Sequence, residues 1–265
     1  MLNKLCNLFG LSKSPSDETL DALAVDPEVR SMIHAADSGN LVTLRNLLRT
    51  MDARGTDEDG RTALMYAARS GQAECVKLLI PVSDVKATTR GRQSALHWAA
   101  SAGQSGMLRT LLPLSDANAK DSLGDTALSV CARLGDIRGV RLLLDSTTDC
   151  RGALMSAVCL NRPHCVKLLL ERAKPQDCAR RDGRGETPLS RSVSDGSVEC
   201  LELLLPAYGA KDLRELHAAA KRALDLGKSK THALIQGRVA ELERDELARA
   251  IPAEKRLPTT KPVRL

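Results

Sequence analysis

Thr62-Ala-Leu-Met-Tyr-Ala-Ala-Arg-Ser-Gly-Gln-Ala-Glu-Cys-Val-Lys-Leu-Leu-Ile80 decides the fold, because its pattern returns along most of the chain at a nearly constant interval. Thr62 is placed to cap a short helix whose buried stripe is Leu64, Ala67 and Ala68. Gly71 supplies the left-handed conformation in which the chain reverses. A second helix then buries Val76, Leu79 and Ile80. Such a pair is too small to bury its own apolar face, so it requires similar pairs stacked on both sides.

Aligning the chain on its reversal residues, Gly39, Gly71, Gly103, Gly135, Asn161 and Gly196, gives intervals of 32, 32, 32, 26 and 35 residues. Five, eight and nine positions after each stand Leu44, Leu47, Leu48; Val76, Leu79, Ile80; Leu108, Leu111, Leu112; Val140, Leu143, Leu144; Val166, Leu169, Leu170; and Leu201, Leu204, Leu205. All are large aliphatics, which composition alone does not produce. Seven positions before each come Met32, Leu64, Leu96, Leu128, Leu154 and Leu189, the inner positions of the first helices.

Composition agrees. The 265 residues are 43% hydrophobic but include one Trp, two Tyr and one Phe, so the core must be Leu, Val and Ala. Small residues suit closely stacked short helices and argue against an aromatic-rich sandwich or barrel. The formal charge of +6 is spread among residues of both signs, without the clustered patch that nucleic acid or lipid needs, so neither is expected as a partner. Nothing approaches the length of a bilayer span, and residues 1–11 carry no convincing cleavage site, so a cytoplasmic protein without stable membrane insertion is expected.

Polar links rich in turn residues join the helix pairs, as in Asn118-Ala-Lys-Asp-Ser-Leu-Gly-Asp-Thr126, and are expected to form short hairpin-like fingers. Ser94-Ala-Leu-His-Trp-Ala-Ala100, the placing of Asp121 and Gly124 before Thr126, and Thr187-Pro-Leu189 resemble the ankyrin repeat over roughly residues 26–207. Phrases such as Glu74-Cys-Val-Lys-Leu-Leu79 are similar to those of the large ankyrin-protein families of protists. The resemblance implies an all-α solenoid of stacked helix-turn-helix units that binds proteins through its fingers and first helices, without catalysis. The helix-start His of that family persists only as His97, expected to hydrogen-bond a neighbouring link. Met65, Ser129, Met155 and Ser190 take its place elsewhere. The unit leading to Asn161 is about six residues short, with Gly152 where a cap should stand, so no full finger is expected there.

The expected organisation is an N-terminal flanking segment at 1–25, partly helical; a repeat domain at 26–236, with six clear repeats and an atypical seventh; and a helical, then basic and disordered, tail at 237–265. Met1 to Leu11 places Leu2, Leu5, Cys6 and Phe9 on one face, either covering the end of the stack or anchoring to a membrane or partner. Of eight Cys, Cys75, Cys165 and Cys200 share one slot on second helices and Cys131 replaces a buried Ala. They read as apolar fillers, since no spacing supports zinc. No cofactor is expected, and no catalytic motif occurs: His34, His97, His164, His217 and His232 are scattered, and Gly183-Arg-Gly185 lies in a finger.

Above this background rises the variable surface of the first helices. The slot five before each reversal holds His34, Tyr66, Trp98, Val130, Ser156 and Arg191. The slot two before holds Asp37, Arg69, Ser101, Arg133, Cys159 and Ser194. Trp98 and Tyr66 fall in the same slot of adjacent repeats, about 10 Å apart by the usual helix spacing, near Arg69, Arg133 and, from the links, Arg61 and Arg92. These six residues are the expected partner-binding site, since Trp, Tyr and Arg dominate interface energies. Trp98 is read either as an anchor in the groove, outside the Leu and Ala stripes, or as a ring packed on its neighbouring finger. The functional expectation is a monomeric, noncatalytic interaction module or scaffold. The alternative is a regulatory or targeting subunit acting on an enzyme or a membrane through its terminal segments.

Overall fold

A computed structural model describes residues 26–173, 178 and 181–250. The partly helical segment expected at 1–25, with the apolar face of residues 1–11, and the tail after residue 250 lie outside them. Fourteen α-helices occur among the described residues. The chain divides into two compact units, residues 1–153 and 154–265.

In the first unit the pairs are α1 (Pro27–Ser38) with α2 (Leu41–Leu47), α3 (Ala63–Ser70) with α4 (Ala73–Leu79), α5 (Ala95–Ser101) with α6 (Ser105–Leu111), and α7 (Ala127–Leu134) with α8 (Ile137–Leu144). The first helices α1, α3, α5 and α7 each pack on the next, and the second helices form a parallel row. The partition at Ala153 and Leu154 falls inside α9, Arg151–Cys159. In the second unit α10 (Pro163–Leu170) packs on α12 (Val198–Leu204). α11 (Pro188–Asp195) packs on α13 (Leu213–Asp225), which pairs with the long α14 (Ser229–Ala250). One helix therefore runs through position 236/237, where the sequence suggested a change of character.

The periodic aliphatics are the core. Leu44, Val76, Leu108, Val140, Val166 and Leu201 are fully buried, as are Leu64, Leu96, Leu128, Leu154 and Leu189. The residues nine after each reversal, at or next to the helix C-cap, are half-buried except Leu205. The reversals take positive φ, from 67° to 80° at the five glycines and 50° at Asn161. At Gly39 and Gly71 the neighbouring repeat adds a second demand: a Cβ there would overlap the amides of Gln72 and Gln104, whereas at Gly103 it would meet nothing.

Each full finger is gripped from within. Asp57 Oδ1 accepts from the amides of Asp59 and Arg61, Asp121 Oδ1 from those of Leu123 and Asp125, and Asp182 Oδ1 from those of Arg184 and Glu186. Thr89 replaces the Asp in the second finger, and its hydroxyl accepts from Gln93. The left-handed position after each of these residues is Gly60, Gly124 or Gly185, but Arg92 in the second finger, at φ 58°. Consecutive fingers in the first unit are joined by single main-chain bonds, Arg90 N to Asp59 O at 2.8 Å and Ser122 N to Gly91 O at 2.9 Å.

Helix starts follow the capping chemistry. Thr62, Thr126 and Thr187 accept from the amide three residues on, and Ser129 and Ser190 return the favour to the cap amide. The serines in the His slot thus complete the box, which Met65 cannot. His97 does more: Nδ1 meets Ser94 Oγ at 2.9 Å, and Nε2 lies 3.2 Å from Asp125 O in the neighbouring link, as expected. The short link behaves differently from the others. Helix α9 starts two residues earlier, relative to its reversal, than the standard first helices, so Gly152 is inside the helix and capping is not its task. Asp149 does that work, accepting from the Arg151 amide at 3.0 Å and from its guanidinium twice at 2.6 Å. These bonds hold the Asp149 carboxyl at about 2, below its ordinary 3.8.

Six of the seven described cysteines are buried and Cys159 is half-buried; Cys75, Cys159 and Cys200 are free thiols. Burial pushes Cys200 up to about 11, and its thiol faces the Asn161 side-chain oxygen at 3.3 Å. In the atypical last pair, Ile235, Val239 and Leu242 of α14 are buried, and Tyr208 is enclosed with its hydroxyl donating to Cys178 O at 2.6 Å.

Candidate partner-binding site

Four of the six expected residues come together, all in the first unit. Arg61 leaves the first finger, Tyr66 and Arg69 lie on α3 one turn apart, and Trp98 lies on α5. The rings of Tyr66 and Trp98 meet at 5.3 Å between centroids, tilted by 58°. About 10 Å is the usual spacing of packed helices, but the two side chains lean together across it. The Arg69 guanidinium lies 5.0 Å from the Tyr66 ring centre and 5.1 Å from that of Trp98, and Arg61 lies 5.5 Å from Trp98. Two cations therefore rest on one pair of rings.

Both guanidiniums are held by carboxylates. Arg61 meets Asp59 at 2.7 Å and Asp57 at 3.7 Å, and Arg69 meets Asp37 at 3.4 Å. Asp57 also accepts from the Tyr66 hydroxyl at 2.9 Å, and Asp37 from Ser70. Burial pushes the Tyr66 phenol above its ordinary range, and neighbouring Asp57 adds to the shift. Three aspartates thus outnumber two arginines, so the patch is net negative. The sequence reading missed these partners, although Asp37 and Arg69 occupy the same slot of adjacent repeats and Asp57 and Asp59 share a finger with Arg61.

Trp98 corrects the expectation that its slot lies outside the core. Its side chain is only 9% exposed, with its indole N–H buried and without a hydrogen-bond partner among the described residues. Tyr66 and Arg61 are half-buried and Arg69 is exposed. Arg92 does not join the cluster through any observed ring contact or ion pair; it is exposed at the second finger's left-handed turn. Arg133, on α7, meets Asp125 at 3.4 Å. Beside the cluster an open cleft of about 690 Å³ separates the first two fingers, with Asp57, Glu58 and Arg90 in its walls. No group of three or more His, Cys, Asp or Glu among the described residues is arranged to hold a metal ion, and no described helix is long and apolar enough to cross a membrane.

Comparison with known proteins bears on the whole chain. The family described as "Ankyrin repeats (3 copies)" matches residues 12–89, 82–153 and 146–215. No curated protein sequence matches significantly. Among solved structures, the crystal structure of the human ASB11 ankyrin repeat domain is similar at 21% identity with a TM-score of 0.57, over 66% of this chain and 82% of that one. This likeness concerns the fold alone.

Proposed function

We propose that this chain, which belongs to the ankyrin-repeat family, is a noncatalytic protein-interaction module that takes its partner on the first-helix surface around Tyr66 and Arg69. The observation that carries this reading is the convergence of Arg61, Tyr66, Arg69 and Trp98 from two adjacent repeats. A helical repeat is held together by Leu and Ala, and nothing in that packing requires a chain this poor in rings to pair two of them. Aromatic and Arg side chains in one patch are the usual source of interface energy. Arg92 and Arg133 extend the proposed surface to the second finger and to α7. The free thiols of Cys75, Cys159 and Cys200 fit a reducing compartment, and we read the protein as a cytoplasmic monomer with scaffold-like use of its repeats.

The test begins with a partner captured by the full chain, followed by affinities for Arg69→Ala and Tyr66→Phe. Arg69→Ala is expected to weaken binding by roughly tenfold, with the melting transition barely moved because that side chain is exposed. Equal affinity of Arg69→Ala, Arg92→Ala and Arg133→Ala with the parent would remove binding from this surface.

A further inference from the structure

The second helices of the first unit carry a charge pattern that the first helices lack. The slot six after each reversal holds Arg45 on α2, Lys77 on α4, Arg109 on α6 and Arg141 on α8, all exposed. These helices pack side by side, so the fold lines up in one row the cations that the sequence spreads. At the usual spacing of packed helices the row runs about 30 Å from end to end. Arg49 and Arg138, each one turn along its helix, widen the row at its two ends. The carboxylates of these helices are Glu74, held by Lys77 at 2.7 Å, and Asp136 and Asp145, which cap α8.

Arg45, Arg109 and Arg141 make no side-chain hydrogen bond or ion pair among the described residues. Arg61, Arg69 and Arg133, on the first helices and their fingers, are each tied to an aspartate. A cation in the last turn also suits the helix dipole. Helix α12, however, forms with Glu202 in the same slot, so the fold does not require a cation there.

We propose that this row is a second docking surface and that its occupant is an acidic polypeptide segment lying across the four second helices. Its carboxylates pair with the unpartnered guanidiniums one repeat after another. The surface is independent of the ring cluster and uses none of its residues. Single charges in file, one to about every 10 Å, suit a chain that presents carboxylates along its length. A nucleic-acid duplex carries a charge for about every 1.7 Å of its axis, far denser than the row. Helices α2, α4, α6 and α8 also contain no ring on which a base could stack. An anionic bilayer is a sheet, and would bring like charge against Glu74 and Asp145, which are exposed on the same helices.

The test adds the full chain to labelled, end-blocked oligoglutamates of four and twelve residues, which reach about 13 Å and about 40 Å when extended, and follows anisotropy at low salt. The longer one is expected to bind roughly tenfold or more tighter per glutamate, because it alone spans the row. Equal affinity per glutamate, or no binding of either, would overturn the row.

Arg45→Gln/Arg109→Gln/Arg141→Gln is expected to weaken the longer ligand roughly tenfold. Arg54→Gln/Lys86→Gln/Lys120→Gln removes the same charge from exposed positions in the links and is expected to change affinity less than about twofold. Equal losses in the two triples would leave net charge alone as the cause and overturn the proposal. Melting curves of both triples come first, and affinities are compared where both are folded, so a dipole contribution to stability does not enter. A short DNA duplex and phosphatidylcholine vesicles with and without phosphatidylserine are titrated at matched charge. If either the duplex or the anionic vesicle binds as tightly as the longer oligoglutamate and is weakened by the row triple, the row belongs to that surface and the acidic polypeptide is wrong.

Discussion

One slot of the repeat, five residues ahead of the reversal, holds two touching rings in the first unit, Tyr66 and Trp98, and in the second an arginine, Arg191, in a salt network. In the first, Tyr66 and Trp98 touch and gather cations. In the second, Arg191 meets Asp195 at 2.8 Å and Glu186 at 3.2 Å, and Arg222 meets the other oxygen of Glu186 at 2.7 Å. The carboxylates hold the Arg191 guanidinium well above its ordinary range, the Glu186 hydrogen bond first among the causes. The backbone at the two places is the same kind of capped helix. The slot is therefore not dictated by packing, unlike the Leu position two residues earlier, which is fully buried wherever it occurs.

The comparison breaks first at Trp98. Trp98→Ala is expected to lower stability by about 3 kcal/mol, since it empties an enclosed site, and urea unfolding measures it. A loss under about 1 kcal/mol would make the ring slot as dispensable as a surface position. The Ala variant is for this reason a poor binding probe, and the exposed Arg69 is the better one.

What an ion pair contributes can be measured at Asp149 and Arg151, in the first unit, which meet at 2.6 Å. Asp149 titrates lower in the folded chain than in the unfolded one, so its contribution is present above about pH 4 and is lost as pH falls toward 2. Asp149→Asn should cost about 1 kcal/mol near pH 7, once solvent screening is counted. Unfolding curves of parent and variant should converge near pH 2. A difference that persists there would assign the effect to the Asp149 cap geometry and not to its charge.

Arg191→Ala ranks next, at about 1 kcal/mol or less, because Arg222 stays to balance Glu186. A cost equal to that of Trp98→Ala would erase the distinction between the two slots. A smaller effect is expected at Arg92→Gly, a gain of about 0.5 kcal/mol from relief of the left-handed conformation. Asn161→Gly should be near neutral, since the same relief is offset by loss of the acceptor facing Cys200. Melting curves of both variants, taken together, test that ranking.

Most of the architecture was legible because it is written in residues that repeat. The eighteen aliphatics, the capping hydroxyls and the reversal glycines each recur at a fixed offset, and a period needs no knowledge of distant contacts to be seen. The ring slot was legible as a position but not as an environment. Whether Trp98 points into solvent or under Arg61 depends on which rotamer its neighbours permit, and no offset encodes that. The charge balance was missed for a related reason: Arg69 and Asp37 are 32 residues apart in sequence and 3.4 Å apart in space. In the short link, the absent finger was readable from its length, whereas the early start of α9 at Arg151 depends on the local pairing of Asp149 with Arg151.

The bonds between fingers, Arg90 N to Asp59 O and Ser122 N to Gly91 O, have a consequence for how such a chain can change over generations. They use main-chain atoms only, so they are indifferent to which side chains the fingers carry. A whole unit duplicated or deleted at these joints leaves the junction chemistry as it was. The Gln72 and Gln104 amides add a side-chain preference, for each lies where a Cβ on the reversal glycine one repeat earlier would fall and must swing aside if that glycine is replaced. A copied repeat that carries such a Gln therefore sits most easily after a repeat whose reversal is glycine.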